Sequence, residues 1–320
     1  MIPQKRARAS TRASKCVHQR AKLYADIRAF FAARSVIEVE TPLLCQYTVT
    51  DPHIESFAVP ITPSKNYYLQ TSPEYAMKRL LSAGNGSIYQ ITKSFRAGEC
   101  GHQHNPEFSM LEWYRVDFNH HDLMHELDEL LQFTAQTEPA EKISYEQLFL
   151  QHLNINPLTA TTDELKSLIA AHDIDVDSTA FDHDTALQIL LSHCIEPKLG
   201  IEKPLFLYDF PPTQAALSII RQDALPVAER FELYIDGSEI ANGFHELTDP
   251  IEQKKRFEKN QQARKTNQQR VPDIDHYFMD ALTQGLPPCA GVAVGLDRLL
   301  MKIMKTDLIR EVVSFDFECA

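Results

Sequence analysis

The sequence predicts an α+β fold in which an antiparallel β-sheet is flanked by helices. Three observations carry this. Two β-rich runs, SIYQITKSF (87–95) and EFSMLEWYRV (107–116), are joined by a polar loop holding Gly98 and Gly101. A second pair of runs, FELYIDGSEIANGF (231–244), turns at Asp236-Gly237, a two-residue hairpin signal. Long helical stretches lie between these hairpins, and neither GxGxxG after a first strand nor GxxxxGK[ST] occurs, which disfavours the parallel nucleotide-binding sheets.

The elements follow in order. From Ser14 to Arg34, Val17, Ala21, Tyr24, Ile27 and Phe31 recur at helical spacing. VIEVETP reads as a short strand stopped by Pro42. Residues 122–135 form an amphipathic helix with Leu123, Leu127, Leu130 and Leu131 inward. The stretch of about 140–200 is mostly helical and polar-faced, with a capping box from Thr161 to Glu164, and reads as an insertion without chemistry. Asp249-Pro250 opens a charged helix running to about Gln269. CAGVAVGLDRLLMKIM passes from a Gly-spaced strand into a helix, and EVVSFDF reads as a last strand.

The bulk properties exclude some functions. A chain of 320 residues can bury a substantial core, and no apolar run is long enough to span a membrane. No signal core opens the chain, and six scattered cysteines without a CxxC pair suit a reducing cytoplasm. A net charge of −12 argues against a large nucleic-acid face. Residues 1–25 nevertheless hold seven Lys/Arg and no acid. Residues 1–15 are therefore expected to be a basic arm on an acidic body, either a solvated terminus or a docking arm for an acidic partner. Residues 16–320 are expected to form one domain.

Three clusters carry chemistry. On the strand from Glu107, alternation puts Phe108, Met110, Glu112 and Tyr114 on one face, where a carboxylate and a phenol beside apolar groups suit a bound amine. Arg96, at the end of the preceding strand, offers a planar fork that matches phosphate oxygens. In the second hairpin the turn at Asp236-Gly237 would pair Glu232 with Ala241 and set Glu239 diagonally beside Glu232. Two such carboxylates repel unless a cation sits between them, and hard oxygens suit Mg2+. Third, Gly291 and Gly295 leave room beside the strand, and Arg298 stands near a helix N-terminus. His102, His104, His120, His121 and His125 lie close in sequence, but no Cys or carboxylate completes a metal spacing among them, so no transition-metal site is expected.

Together these clusters resemble the signature motifs of class II aminoacyl-tRNA synthetases. YADIRAFFAARSVIEVETP resembles motif 1, the dimer element; FRAGECGHQHNPEF resembles motif 2; GVAVGLDR resembles motif 3. TSPEYAMKRLL, HNPEFSMLEWY and NGFHELTD are similar to the lysyl branch. Motif 1 begins at about residue 20, which leaves no room before it for an anticodon-binding OB domain. In this the chain resembles the truncated paralogues of that branch, the elongation factor P–lysine ligases.

The resemblance implies an ATP-dependent ligase that activates (R)-β-lysine or lysine as an adenylate. It would transfer this to a lysine side chain of elongation factor P, as a homodimer, without tRNA and without a membrane. Arg96 and Arg298 would be catalytic, holding the α- and γ-phosphates of ATP. Ala97, Gly98, Glu99, His104, Asn105, Phe108, Glu239, Ile240 and Gly295 would line the nucleotide, with Phe108 on adenine. Glu232 and Glu239 would hold Mg2+. Ser72, Pro73 and Glu74 would border the substrate backbone, while Glu112, Tyr114, Asn242, Glu246 and Ala293 would receive the rest of the amino acid.

Two positions depart from the lysyl pattern. Arg96 is followed by Ala97, Gly98 and then Glu99, so the motif 2 acid is displaced by one residue, and Ala293 stands where motif 3 has its middle glycine. A truncated synthetase-like enzyme with another acceptor and a catalytically silent regulatory paralogue are the competing readings.

Overall fold

The computed structural model describes residues 3–176 and 182–320, with side chains from Lys15 onward. Its elements are α1 (Pro3–Ala32), β1 (Ile37–Glu38), β2 (Leu44–Cys45), β3 (Ala58–Thr62), β4 (Lys65–Leu69), α2 (Glu74–Ser82), β5 (Ile88–Phe95), β6 (Glu107–Val116) and α3 (His120–Ala135). There follow β7 (Glu141–Ser144), α4 (Tyr145–Leu153), α5 (Thr162–Ala171), α6 (His183–Leu190), β8 (Leu205–Phe210), β9 (Ile220–Arg221), β10 (Val227–Ile235) and β11 (Ser238–His245). The chain ends with α7 (Pro250–Thr266), α8 (His276–Gly285), β12 (Cys289–Gly295) and α9 (Leu296–Met304).

Among the described residues the main sheet runs β1-β5-β6-β12-β11-β10-β8-β7, with β9 beside β10, and a small sheet runs β2-β4-β3. The interior pairs are antiparallel, as expected, but β1 joins β5 and β7 joins β8 in parallel at the two edges. The β5/β6 pair keeps unbroken register from Ile88↔Tyr114 to Phe95↔Glu107. The β10/β11 turn has φ of 48° at Asp236 and 67° at Gly237, the doubly positive turn that matches strand twist.

One sheet face is covered by α1, α3 and α9, whose Ile27, Phe31, Leu127, Leu131 and Leu299 pack on Leu111, Trp113 and Val292. Phe31 stacks on Tyr89 with ring centroids 4.4 Å apart. The other face receives α2 and α8 at one end, where Met77, Leu81 and Phe278 meet Ile88 and Tyr114. The insertion packs α4, α5 and α6 on β8 and β10 as a second core. Its capping box is present at Thr161 and Glu164, and Asp249 caps α7.

Several expectations change. Helix α1 begins at Pro3, well before the apolar periodicity, while the side chains of Lys5, Arg6, Arg8 and Arg12 lie outside the described residues. Its inner stripe is Cys16, Leu23, Ile27, Phe30 and Phe31, and Val17 is half exposed. The stripe turns because Arg20 points inward, donating to Asp297 Oδ1 at 2.5 Å and to the Val312 carbonyl at 2.6 Å. The strand expected at VIEVETP shrinks to two residues. EVVSFDF forms no strand: Val312 donates its N–H to Ile309, and its carbonyl accepts from Cys16 and Arg20, so no ladder bond is left.

Candidate active site

Strand register assembles the site. Glu112 of β6 pairs with Ala293 of β12, Ala293 with Asn242 of β11, and Asn242 with Glu232 of β10. Four residues proposed from three separate motifs thus stand in one row across four strands. The expected Glu232–Ala241 pair is corrected to Glu232–Asn242. Tyr234 pairs with Glu239 and Leu233 with Ala241, so Ile240 is the extra residue of a β-bulge. Ile240 turns its side chain into the helix-covered core, leaving only its backbone toward the groove.

A second row carries Tyr114, Gly291 and Phe244. Gly291 does not leave room for a ligand: a Cβ there would lie 2.2 Å from the Tyr114 ring and 2.5 Å from Glu246 Oε1. Gly295 is different, since a Cβ would meet only ordinary contacts at 3.7 Å or more. From Phe108 to Tyr114 the face spans about 20 Å at the rise of a strand.

The inner end of this groove is a buried charge cluster. Tyr114 Oη donates to Glu112 Oε1 at 2.6 Å and Ser72 Oγ donates to Oε2 at 2.8 Å. Pro73 is the N-cap residue of α2, and the Glu74 N–H donates to Ser72 Oγ at 3.1 Å. Lys78 Nζ, on a side chain 1% exposed, lies 2.6 Å from both Glu74 Oε1 and Glu246 Oε2. Burial pushes the Glu112 carboxyl up to about 7, with Glu74 adding repulsion. Burial likewise pushes Glu246 up to about 8 against the pull of Lys78. Burial disfavours the Lys78 charge as well, but Glu246 and Glu74 outweigh it and raise its pKa.

Midway, Glu232 accepts from Arg230 Nη2 at 2.5 Å and from Tyr234 Oη at 2.6 Å. Burial pushes Glu232 up to about 7; Arg230 pulls it down and Glu239 pushes it up. Glu239 is close enough to repel Glu232, as a cation-binding pair would be, and its own carboxylate is 42% exposed. Asn242 Oδ1 accepts from Arg230 Nε at 3.2 Å, which ties it to Glu232 and not to Glu246.

At the outer end Arg96 lies over the Phe108 ring, 5.2 Å from its centroid, and 3.7 Å from Glu99. Its Nε is buried with no hydrogen-bond partner among the described residues, an open donor where an anion fits. Gly98 holds φ at 83°, the left-handed region that favours glycine, so the loop turns there. The Ala97 N–H donates to the Glu55 carbonyl. His104 accepts from Arg298 Nη2 at 2.5 Å, joining the two predicted motifs, and burial with the nearby Arg298 lowers its pKa. Arg298 Nη1 donates to the Glu239 carbonyl at 2.8 Å. Asn105 is turned away: Nδ2 donates to the Glu107 carbonyl and Oδ1 accepts from the Phe317 N–H.

Lys78, Arg230 and Tyr234 were not singled out from the sequence. Two signals pointed to them: Glu74 and Lys78 are four apart on a helix, and Arg230, Glu232 and Tyr234 alternate on one strand face. A cavity of about 230 Å3 is lined by Ser72 and Glu74 together with Cys45, Tyr47, Gln70 and Asp275, and Ser72 links it to Glu112 of the strand row.

An open anion donor, a strand row carrying Glu112 and Glu232, and a buried acidic end, all on one face of an antiparallel sheet, fit a class II synthetase-type domain. The model of class II tRNA synthetases (D, K and N) matches residues 6–318, and the chain belongs to that family. It is 48% identical over 316 residues to "Elongation factor P--(R)-beta-lysine ligase" of Photobacterium profundum, covering 97% of this chain and 98% of that one. It is 50% identical over 309 residues to the protein of the same name from Histophilus somni, with 94% of each covered. With that of Salmonella typhi the identity is 47% over 308 residues, covering 94% and 95%. Among the described residues no helix is long and apolar enough to cross a membrane.

Proposed function

We propose that this chain is an ATP-dependent ligase that activates (R)-β-lysine as its adenylate and transfers it to a lysine side chain of elongation factor P. The observation that carries the substrate assignment is the charge balance of the inner pocket. Glu74, Glu112 and Glu246 surround a single ammonium, Lys78, and burial holds Glu112 and Glu246 reluctant to ionise. The pocket therefore lacks two positive charges. A β-lysine brings two ammonium groups, and its carboxylate would then point back along the groove toward Arg96. The three relatives described above, which align over nearly the whole chain, are named as ligases of elongation factor P and (R)-β-lysine.

In the first step a carboxylate oxygen of the amino acid attacks the α-phosphorus of ATP and the bond to pyrophosphate breaks. No base is needed, so catalysis is positioning and charge neutralisation. Arg96 would hold the α-phosphate with its open donor, and Arg298, oriented by His104 and Glu239, the γ-phosphate. Phe108 would stack on adenine against the face not taken by Arg96, with Ala97, Gly98, Glu99, the Ile240 backbone and Gly295 around it, while Asn105 is held away by its bonds to Glu107 and Phe317. Glu232 and Glu239 would hold Mg2+, which when bound neutralises phosphate charge and relieves their repulsion. Ser72, Pro73 and Glu74 would border the substrate backbone, and Ala293 and Asn242 would floor the amino-acid end. In the second step a neutral lysine amine attacks the acyl carbon, AMP leaves, and the new amide nitrogen gives up a proton.

A homodimer suits the edge strand β1, which among the described residues has a strand partner on one side alone, together with the exposed Ile37, Leu43 and Leu44. Cytoplasmic placement suits six cysteines of which none is in a disulfide.

The test is ATP–pyrophosphate exchange with α-lysine and both β-lysine enantiomers, followed by intact mass of added elongation factor P. Exchange strongest with (R)-β-lysine and a single-residue mass gain are expected. Exchange without protein transfer would leave the activation step and remove the acceptor; no exchange would remove the enzyme reading.

A further inference from the structure

Behind the catalytic hairpin, on the face covered by α3, side chains far apart in sequence converge. His120, the first residue of α3, is 1% exposed and meets Glu229 of β10 and His245 of β11. One nitrogen or oxygen from each lies within 4.8 Å of the other two. The local histidine spacing gave no such expectation, because the partners come from two distant strands.

The hydrogen bonds assign the protons. His120 Nε2 lies 3.2 Å from Asp209 Oδ1. Asp209 also accepts from Arg221 Nη2 at 2.6 Å, so it is an acceptor and Nε2 carries the hydrogen. In the neutral ring the lone pair of Nδ1 then points into the cluster. Nδ1 is buried and has no hydrogen-bond partner among the described residues, and Glu229 Oε2 is 3.7 Å away. That is too long for a hydrogen bond. It is close to the spacing of about 3.4 Å between two ligands that share one tetrahedral ion. His245 Nδ1 donates a hydrogen bond to the same Glu229 oxygen.

The charges agree. Asp209, Asp223 and Glu229 face one guanidinium, Arg221, through contacts of 2.6, 2.8 and 3.0 Å. The positive end of the α3 dipole opposes a cation, but three carboxylates against one guanidinium outweigh it. His121 adds only a ring tilted 35° against that of His120, with centroids 4.0 Å apart.

We propose that His120 Nδ1, His245 Nδ1 and a Glu229 oxygen form a binding site for one divalent transition-metal ion of the zinc class. Two imidazoles and a carboxylate are the donors such ions take, whereas Mg2+ prefers oxygen alone. Asp209 is the outer carboxylate that orients a ligating imidazole through its other nitrogen. Metal entry requires that His245 carry its hydrogen on Nε2 and that its Nδ1 draw away from the Glu229 oxygen it now bonds, out to ligand spacing. The ion would pin the start of α3 to the ends of β10 and β11. The neighbours of its ligands, Arg230 and Glu246, face the groove on the other side of the sheet. The role is therefore structural and separate from Mg2+ at Glu232 and Glu239.

The test is titration of the chelator-treated full chain with Co2+, without ATP or Mg2+. One equivalent should bind with the visible bands of four-coordinate cobalt, without sulfur charge-transfer bands, and Zn2+ should displace it. Asp209→Asn should weaken the affinity about tenfold, and His120→Ala should abolish binding. If His120→Ala does not fold, X-ray absorption of the Zn2+-loaded wild type decides, with a nitrogen/oxygen shell containing two imidazoles expected. No binding, binding unchanged in both variants, or sulfur ligation would overturn the site.

Discussion

Lys78 Nζ and Glu246 Oε2 lie 2.6 Å apart on side chains that are each 1% exposed. The pair joins α2 to the residue that follows β11. Replacing the ammonium strands carboxylates in a low-dielectric site. Lys78→Met should therefore lose about 3–5 kcal/mol near pH 8. The loss should shrink near pH 5, where Glu246 can take a proton. Urea unfolding at the two pH values checks this; an equal loss at both would separate Lys78 from the carboxylates.

The same pocket sets a pH dependence. The folded-state values of about 7 for Glu112 and about 8 for Glu246 lie above the ordinary 4.5. A raised carboxyl contributes stability that is full below about 4.5 and is lost as pH rises through the folded value. The ligand-free protein should therefore lose thermal stability between pH 5 and about 8. A diammonium ligand requires the ionised carboxylates, so its affinity should rise over that window with release of protons. Calorimetry in buffers of different ionisation enthalpy measures the release, and proton uptake would contradict the charge balance.

Arg298→Ala should lower pyrophosphate exchange about 100- to 1000-fold, the usual cost of one preorganised charge donor. The side chain is tied by His104 and the Glu239 carbonyl and fills no core, so the melting temperature should stay near wild type. Full activity in this variant would remove the nucleotide assignment.

Glu246→Gln keeps the shape and removes the charge. The expected outcome is a raised KM for the amino acid with the KM for ATP unchanged, read in the exchange assay. A change confined to ATP would place Glu246 at the wrong end of the groove.

Gly291→Ala places a methyl group 2.2 Å from the Tyr114 ring and 2.5 Å from Glu246. Overpacking of this kind costs about 1–3 kcal/mol. The Tyr114 ring also bonds Glu112, so amino-acid binding should weaken along with stability. A stable variant with normal KM would show that the ring moves freely.

Much was legible along the chain because the periods concerned are local. Alternation on β6 identified Glu112 and Tyr114 as one face, and both are buried there. Asp236-Gly237 announced its turn, and Asp249 its helix cap, because each acts on its own backbone. Strings of residues around Arg96 and Arg298 announced the family for the same reason: they are contiguous.

What only the tertiary structure decided is which strand lies beside which, and at what register. The bulge at Ile240 moved Glu232 from Ala241 to Asn242 and so completed the row with Ala293 and Glu112. Arg20 reached across 277 positions to Asp297 and thereby rotated α1. EVVSFDF has strand composition, yet its backbone bonds went to local turns and to side chains of α1. Lys78 entered the pocket, and His120 met Glu229 and His245, through packing between distant segments. A periodic pattern specifies the faces of one element; contacts between elements are set by how those faces fill space against one another, which no single stretch of sequence contains.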